Sequence, residues 1–125
     1  MKKMIAIIGV ALSMSAFIVV GDIDKIINAL SSGNAVQFSS FYDDFLDIKL
    51  LEKDEIKNVG RNQASITIKS FFDDNGIKGF EKTSQREMGG TMYLTGKLKG
   101  NKNYNITLLM KDRGDKLSII SIRVS

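Results

Sequence analysis

The residue types that could carry acid–base or metal chemistry are concentrated in two carboxylate clusters. These clusters are Asp43–Asp44, with Asp47 nearby, and Asp73–Asp74. Adjacent carboxylates can bind calcium or act as an acid–base pair. Neither cluster lies in a D-x-[DN]-x-[DN]-G loop, and both lie beside predicted turns. We therefore interpret them as solvated surface, and we predict no metal site.

Other catalytic residue types are missing from the chain, which contains no histidine and no cysteine. The usual general base at neutral pH, the thiolate nucleophile and the main ligands of zinc are therefore absent. The motifs G-x-S-x-G, G-x-x-x-x-G-K-[ST] and G-x-G-x-x-G are absent too. Tyr93 or Tyr42 with Arg86 could polarise a carbonyl, although no spacing requires it. We predict no catalytic residue and no cofactor, and the sequence favours a protein that is not an enzyme.

The composition is that of an ordinary globular protein, with 43% hydrophobic and 26% charged residues. The formal net charge is +4, but Lys2 and Lys3 belong to a predicted targeting segment. Without them, 18 − 2 = 16 basic residues face 14 acidic ones. So small an excess, with no basic run, argues against a nucleic-acid partner.

The N-terminus has the pattern of a secretory signal peptide over residues 1–21. Lys2 and Lys3 precede the uncharged run Met4–Val20, and charge returns at Asp22. We expect a mature protein that begins near Asp22 and forms one domain over residues 22–125. The alternative is an uncleaved anchor, in which case the segment would attach the protein to the membrane.

The stretch Gly60–Gly76 is the clearest helix in the sequence, and the rest of the fold is organised around it. Its apolar residues recur at i, i+4, i+7 and i+8, as one stripe of a helix does. They are Ala64, Ile68, Phe71 and Phe72. A strand is the alternative, because Ile66 and Ile68 alternate with polar residues. A strand would, however, place Phe71 and Phe72 on opposite faces.

The remaining elements lie on both sides of this helix in the sequence. After the helix, apolar and polar residues alternate with a period of two, as they do in strands. The predicted elements are helices over Asp22–Ser32 and Asn34–Tyr42 and strands over Phe45–Glu52, Ile77–Glu87, Thr91–Lys99, Asn103–Lys111 and Lys116–Val124. The segment Ile56–Val59 is short and could pair back on the chain before the central helix. Gly89–Gly90 is predicted to form a bulge or a sharp bend. The order predicts an α+β domain, in which N-terminal helices and one central helix pack on a bent antiparallel sheet of four to five strands.

Several local sequences resemble those of a known family. They are Ile26–Ala35, Gln63–Ala64 running to Phe71–Phe72, Tyr93–Leu98 and Ile119–Arg123. They are similar to domain of unknown function 4783, a family of small exported proteins of Gram-negative bacteria. Its fold is similar to the cone of the nuclear transport factor 2-like superfamily. The resemblance implies this cystatin-like cone and a location in the periplasm or cell envelope, and it implies no activity.

Cones of this kind often hold a pocket between the long helix and the concave sheet. The candidate lining residues here are Phe71, Phe72, Phe80, Met88, Met92, Tyr93 and Met110. Such residues could line an adaptable apolar cavity, or they could simply fill the core. The last strand is apolar on both faces, so we expect Leu117 and Ile119 to contact a partner.

Three functions are open on this basis. The first is a non-catalytic binding or assembly module, acting as a homodimer or with an envelope protein. The second is a carrier of a small apolar ligand in the cone. The third is an isomerase or dehydratase that works without histidine, by analogy of fold only. We rank the module first and the enzyme last.

Overall fold

The computed structural model describes residues 21–125, so the predicted signal peptide lies outside the described residues except for its last position. The helices are α1, described over residues 21–31, α2 over Ala35–Ser39 and α3 over Arg61–Asn75. The strands are β1 over Tyr42–Leu50, β2 over Ile56–Gly60, β3 over Gly79–Met88, β4 over Thr91–Lys99, β5 over Asn103–Asp112 and β6 over Leu117–Val124. Within residues 21–125, none of the helices is long and apolar enough to cross a membrane.

The strands form one sheet in the order β2-β1-β6-β5-β4-β3. All neighbours are antiparallel except β1 and β6, which run parallel. The predicted α+β fold with a bent sheet is therefore confirmed, but the sheet has 6 strands rather than four to five and is not wholly antiparallel. The additional strand is the short β2, which pairs with β1. The parallel pair was not predicted because β1 and β6 lie far apart in the chain, so no hairpin turn in the sequence indicates their pairing.

The central helix is confirmed as α3, and its apolar stripe lies against the sheet. The predicted residues Ala64, Ile68, Phe71 and Phe72 are those that α3 buries. The ring of Phe72 stacks on that of Phe38 from α2, with 6.1 Å between the centroids. The helix ends at Gly76, which has the left-handed conformation expected of a helix stop.

The C-terminal end of α3 is attached to the sheet through Asn75. Its side-chain carbonyl accepts a hydrogen bond from the Tyr104 hydroxyl at 2.8 Å, and its amide donates to the Phe71 carbonyl at 2.8 Å. Its backbone carbonyl accepts the N–H of Asn101 at 2.8 Å, from the β4–β5 turn. The bonds to Tyr104 and Asn101 hold the end of α3 against β5 and the β4–β5 turn, and the bond to Phe71 orients the Asn75 side chain.

The second helix is shorter than predicted. Asn34 caps α2, but the helix stops at Ser39 and β1 begins at Tyr42, not at Phe45. Tyr42 lies beside Ile119 in the parallel β1–β6 ladder. The predicted helix over Asn34–Tyr42 is therefore wrong only over Ser40–Tyr42, where β6 supplies backbone partners that local helical spacing does not indicate.

Gly89–Gly90 forms the two-residue turn of the β3–β4 hairpin rather than a bulge. Met88 and Thr91 pair directly across it, and the two glycines have φ values of 51° and 81°. Positive φ at both central positions is typical of a type I′ turn and explains the glycines. The bulge of this ladder lies at Thr83, whose hydroxyl donates to the Thr95 carbonyl at 3.1 Å.

A second bulge, in β6, changes the predicted phase of the last strand. Met110 pairs with Ile119, whereas the preceding Leu109 pairs with Ser121, so Ile120 is the extra residue. A residue added to a strand breaks the strict alternation of side chains between the two faces. Ile120 is only half-buried, whereas Ile119 is fully buried.

Because of this bulge, the apolar residues before Ile120 and those after it all point into the core. Leu117 and Ile119 are 1% and 0% exposed, and Ile122 and Val124 are buried with them. The expectation that the last strand is apolar on both faces is therefore wrong, because Leu117 and Ile119 share the buried face with Ile122. Since the chain itself covers these two side chains, they offer no surface for the predicted interface.

Candidate functional site

The residues predicted to line a cone pocket lie in two different environments. Phe71, Phe72, Met92 and Met110 are buried in the core, and Phe80 is half-buried. Met88 and Tyr93 are 54% and 37% exposed. The structure therefore does not gather the predicted residues around one cavity, and a ligand contact by any of them stays a prediction.

The interior of the cone is occupied by large side chains. The largest fully buried ones include Phe38, Tyr42, Leu94, Leu108 and Met110. They come from α2 and from three strands of the sheet, β1, β4 and β5. Large side chains of the described residues thus occupy much of the region between the helices and the sheet.

Three aspartates of the predicted carboxylate clusters, Asp43, Asp44 and Asp73, form ion pairs. Asp43 pairs with Arg113 at 2.6 Å and Asp44 pairs with Arg61 at 2.8 Å. Asp47 accepts a backbone N–H from β2. Within residues 21–125, no group of three or more acidic side chains is placed to hold a metal ion. These carboxylates connect elements of the fold rather than forming a catalytic pair.

Of the side chains that could polarise a carbonyl, Tyr42, Tyr93 and Arg86, only Tyr42 lies in the core. Its hydroxyl has no hydrogen-bond partner among the described residues. Burial raises the pKa of this hydroxyl well above its usual value. The phenol therefore stays protonated, and it contacts the ring of Phe38 edge-on at 5.4 Å.

We expect Tyr42→Phe to increase the free energy of unfolding by about 1 kcal/mol, because it removes a buried polar group without a partner. The gain should grow above about pH 10, where an unfolded tyrosine ionises while the buried one does not. Urea denaturation of both proteins at pH 7 and pH 10.5 measures this. If Tyr42→Phe and the unchanged protein are equally stable at pH 7 and again at pH 10.5, the Tyr42 hydroxyl must have a hydrogen-bond partner after all.

The outer face of the sheet, away from the helices, presents a different set of side chains. Residues paired directly across strands share a face. Leu94, Leu108 and Ile122 form one such buried row. The row next to it faces outward and consists of Arg86, Tyr93 and Leu109 on β3, β4 and β5.

The next outward row adds Met88 on β3 and Lys111 on β5, with Thr91 between them. The guanidinium of Arg86 lies 3.8 Å from the sulfur of Met88. We call Arg86, Met88, Tyr93, Leu109 and Lys111 together the outer patch. The structure thus brings Tyr93 and Arg86 together, as the sequence suggested, but on an open face rather than in a pocket.

The outer patch combines an apolar centre with positive charge. Leu109 is half-buried, and Tyr93 and Met88 are exposed beside it. Arg86 and Lys111 take part in none of the ion pairs found among the described residues, whereas the nearby Glu81 pairs with Lys99 at 3.2 Å. Tyrosine, methionine and arginine are enriched in protein interfaces, so this composition is that of a contact surface.

Sequence reasoning missed Leu109 and Lys111. Their alternation in β5 shows that they share a face, but only the pairing with β4 shows that this face carries Tyr93. Lysine and leucine at such spacing are equally typical of ordinary strand positions. No local motif in the sequence could have identified these two residues.

The fold defines the class of the protein. It is an α+β cone of the NTF2-like kind, similar to a protein of the NTF2-like family from Streptomyces avermitilis. The TM-score is 0.61 at 14% sequence identity, and the match covers 82% of this chain and 88% of that chain. An identity this low shows the fold alone.

The family model of DUF4783, a domain of unknown function, matches residues 23–125, and the chain belongs to this family. A DUF4783 protein from Bacteroides ovatus is 22% identical with a TM-score of 0.74, over 80% of this chain and 90% of that chain. One from Bacteroides uniformis is 19% identical with a TM-score of 0.75, over 82% of this chain and 94% of that chain. No curated protein matches this sequence.

Proposed function

We propose that the protein is a non-catalytic binding module of the cell envelope that acts by contact through the outer patch. The observation that supports this most is the exposed row of Arg86, Tyr93 and Leu109 on a sheet face that no helix covers. An exposed apolar centre with polar surroundings is the usual appearance of an interaction site.

The chemistry of the outer patch favours a partner surface with an apolar centre and acidic side chains around it. Arg86 and Lys111 would face those carboxylates, while Tyr93 and Leu109 would pack on the centre. A second copy of the same face would bring positive charge to positive charge, which disfavours association. We therefore propose a different envelope protein as the partner, rather than a homodimer.

The carrier and the enzyme are less well supported. A carrier needs an open cavity in the cone, whereas Phe38, Leu108 and Met110 are completely buried there. An enzyme of this chain would need a carboxylate or a tyrosine to act as its acid or base, since there is no histidine or cysteine. Asp44 and Asp73 form exposed ion pairs, and Asp74 is exposed as well.

We place this contact in the periplasm or cell envelope because residues 1–21 have the pattern of an export signal. An exported chain without cysteine depends on packing alone for its stability. A filled core suits a module that works through its surface.

Photo-crosslinking in cells tests the proposal. We replace Tyr93 with p-benzoyl-phenylalanine in the full-length chain, and Val36 on α2, which is 65% exposed, serves as the matched control position. We expect covalent adducts from position 93 and none from position 36. The additional changes Arg86→Glu and Lys111→Glu should abolish the adducts, because they reverse the charge of the patch.

Two results would contradict the proposal. Equal crosslinking at both positions would mean that position 93 is merely exposed. An adduct with the mass of two copies of the chain would show self-association instead of an acidic partner.

A further inference from the structure

A groove of about 420 Å³ runs along the flank of α3, on the surface of the molecule and separate from the outer patch. Small-molecule sites have volumes of about 300–1,000 Å³. One wall is the helix face that carries Gln63, Ile66, Thr67, Ser70 and Asp74. The other wall is the end of β1 and the loop that follows it.

The floor of the groove is apolar. Leu50, Leu51 and Phe71 contribute to it, together with Ile66 from α3. Ile66 is 61% exposed, because it lies outside the buried stripe of α3. An apolar floor with hydroxyl groups from Thr67 and Ser70 beside it suits an amphiphilic ligand better than a wholly apolar one.

The loop wall is held in place by Lys49. Its ammonium group donates to the carbonyl of Leu51 at 2.6 Å and also to the carbonyl of Lys53. The N–H of Lys53 donates to the carbonyl of Leu50 at 3.1 Å. Lys49 thus fixes the loop backbone, and the side chain of Lys53 borders the groove.

The helix wall carries Asp74, whose negative charge is unfavourably placed relative to the dipole of α3. Asp73 and Asp74 lie at the C-terminal end of α3, where the helix dipole disfavours negative charge. Lys69 compensates Asp73 through an ion pair at 2.7 Å, but no ion pair among the described residues includes Asp74. Of these two aspartates, Asp74 is the one that borders the groove.

We propose that this groove binds a short apolar peptide with free termini. Its ammonium group would meet Asp74 on the helix wall, its carboxylate would meet Lys53 on the loop wall, and its apolar side chains would lie on Ile66 and Phe71. The opposite charges of the two walls supply the complementarity, and the C-terminal end of the helix dipole adds to the attraction for the ammonium group.

Calorimetric titration of the full-length chain with the dipeptide Leu-Leu tests this inference. Asp74→Asn and Lys53→Gln should each weaken binding by about fivefold, as expected for an exposed ion pair. The matched control Asp73→Asn, which changes the neighbouring carboxylate outside the groove, should leave the affinity unchanged. Circular dichroism confirms that each variant is folded.

A second probe separates charge from apolar contact. Leu-Leu acetylated at its N-terminus and amidated at its C-terminus should bind at least about fivefold more weakly than the free dipeptide. Equal binding of the two probes, or equal effects of Asp73→Asn and Asp74→Asn, would overturn the inference. Arg86→Glu should leave dipeptide binding unchanged, so the groove and the outer patch are tested independently.

Discussion

Phe72→Ala should lower the free energy of unfolding by about 3–5 kcal/mol, the range measured for large-to-small changes of buried aromatic residues. Phe72 is 3% exposed, and its ring stacks on that of Phe38. The variant loses burial of the ring and leaves a cavity between α3 and α2. Since domains of this kind are stable by only about 5–15 kcal/mol, the loss threatens folding itself. Urea denaturation followed by circular dichroism measures it.

Ser70→Ala is the matched control for this variant. Ser70 lies on the same helix but is exposed. A surface change of this kind alters stability by less than about 0.5 kcal/mol. Denaturation midpoints of Phe72→Ala and Ser70→Ala that coincide would mean that the orientation of α3 is wrong.

Gly96→Ala should destabilise the fold by about 1–3 kcal/mol through overpacking. A Cβ atom at Gly96 would lie 2.4 Å from the carbonyl oxygen of Glu81 and 2.5 Å from the ring of Phe80. The half-buried Phe80 ring on β3 occupies the space that the missing side chain leaves on β4. Thermal and urea denaturation both measure the loss.

Gly60→Ala provides the comparison, because a Cβ atom at Gly60 would meet nothing within 4 Å. Its effect, which includes a weaker helix N-cap, should stay below about 1 kcal/mol. If both glycine variants lose the same stability, then Phe80 does not pack on Gly96 as described.

The parts of the fold that the sequence predicted are those set by local periodicity. The stripe of α3 recurs at helical spacing within one segment, so its buried residues Ala64, Ile68 and Phe72 could be identified without a partner. The β3–β4 and β4–β5 hairpins likewise connect neighbouring segments. Local spacing and local turns are sufficient for such elements.

The parts that were missed depend on pairing between distant segments. The extra residue Ile120 changes the phase of β6, and only the ladder with β5 shows it. The helix prediction that included Tyr42 failed because β6 pairs with that residue from the other end of the chain. In the outer patch, the side-chain chemistry of Arg86 and Tyr93 can be recognised from the sequence. Their position side by side depends on the register of β3 with β4, which the sequence does not indicate.

The same reasoning explains the groove beside α3. Asp74 was noticed in the sequence as one of two adjacent carboxylates, and nothing local separates it from Asp73. The difference appears only when the end of β1 and its loop form the second wall. A site made by two elements distant in sequence has no local pattern to identify it.

Hydroxyl-radical footprinting of the full-length protein, purified and in the native envelope, tests the central claim most directly. The claim is that the outer patch is covered by a partner in the envelope. We expect oxidation of Met88 and Tyr93 to fall in the envelope relative to the purified chain, while oxidation of Val36 and Ile56, both exposed, stays the same. Equal oxidation of Met88 and Tyr93 in the two preparations would contradict the claim.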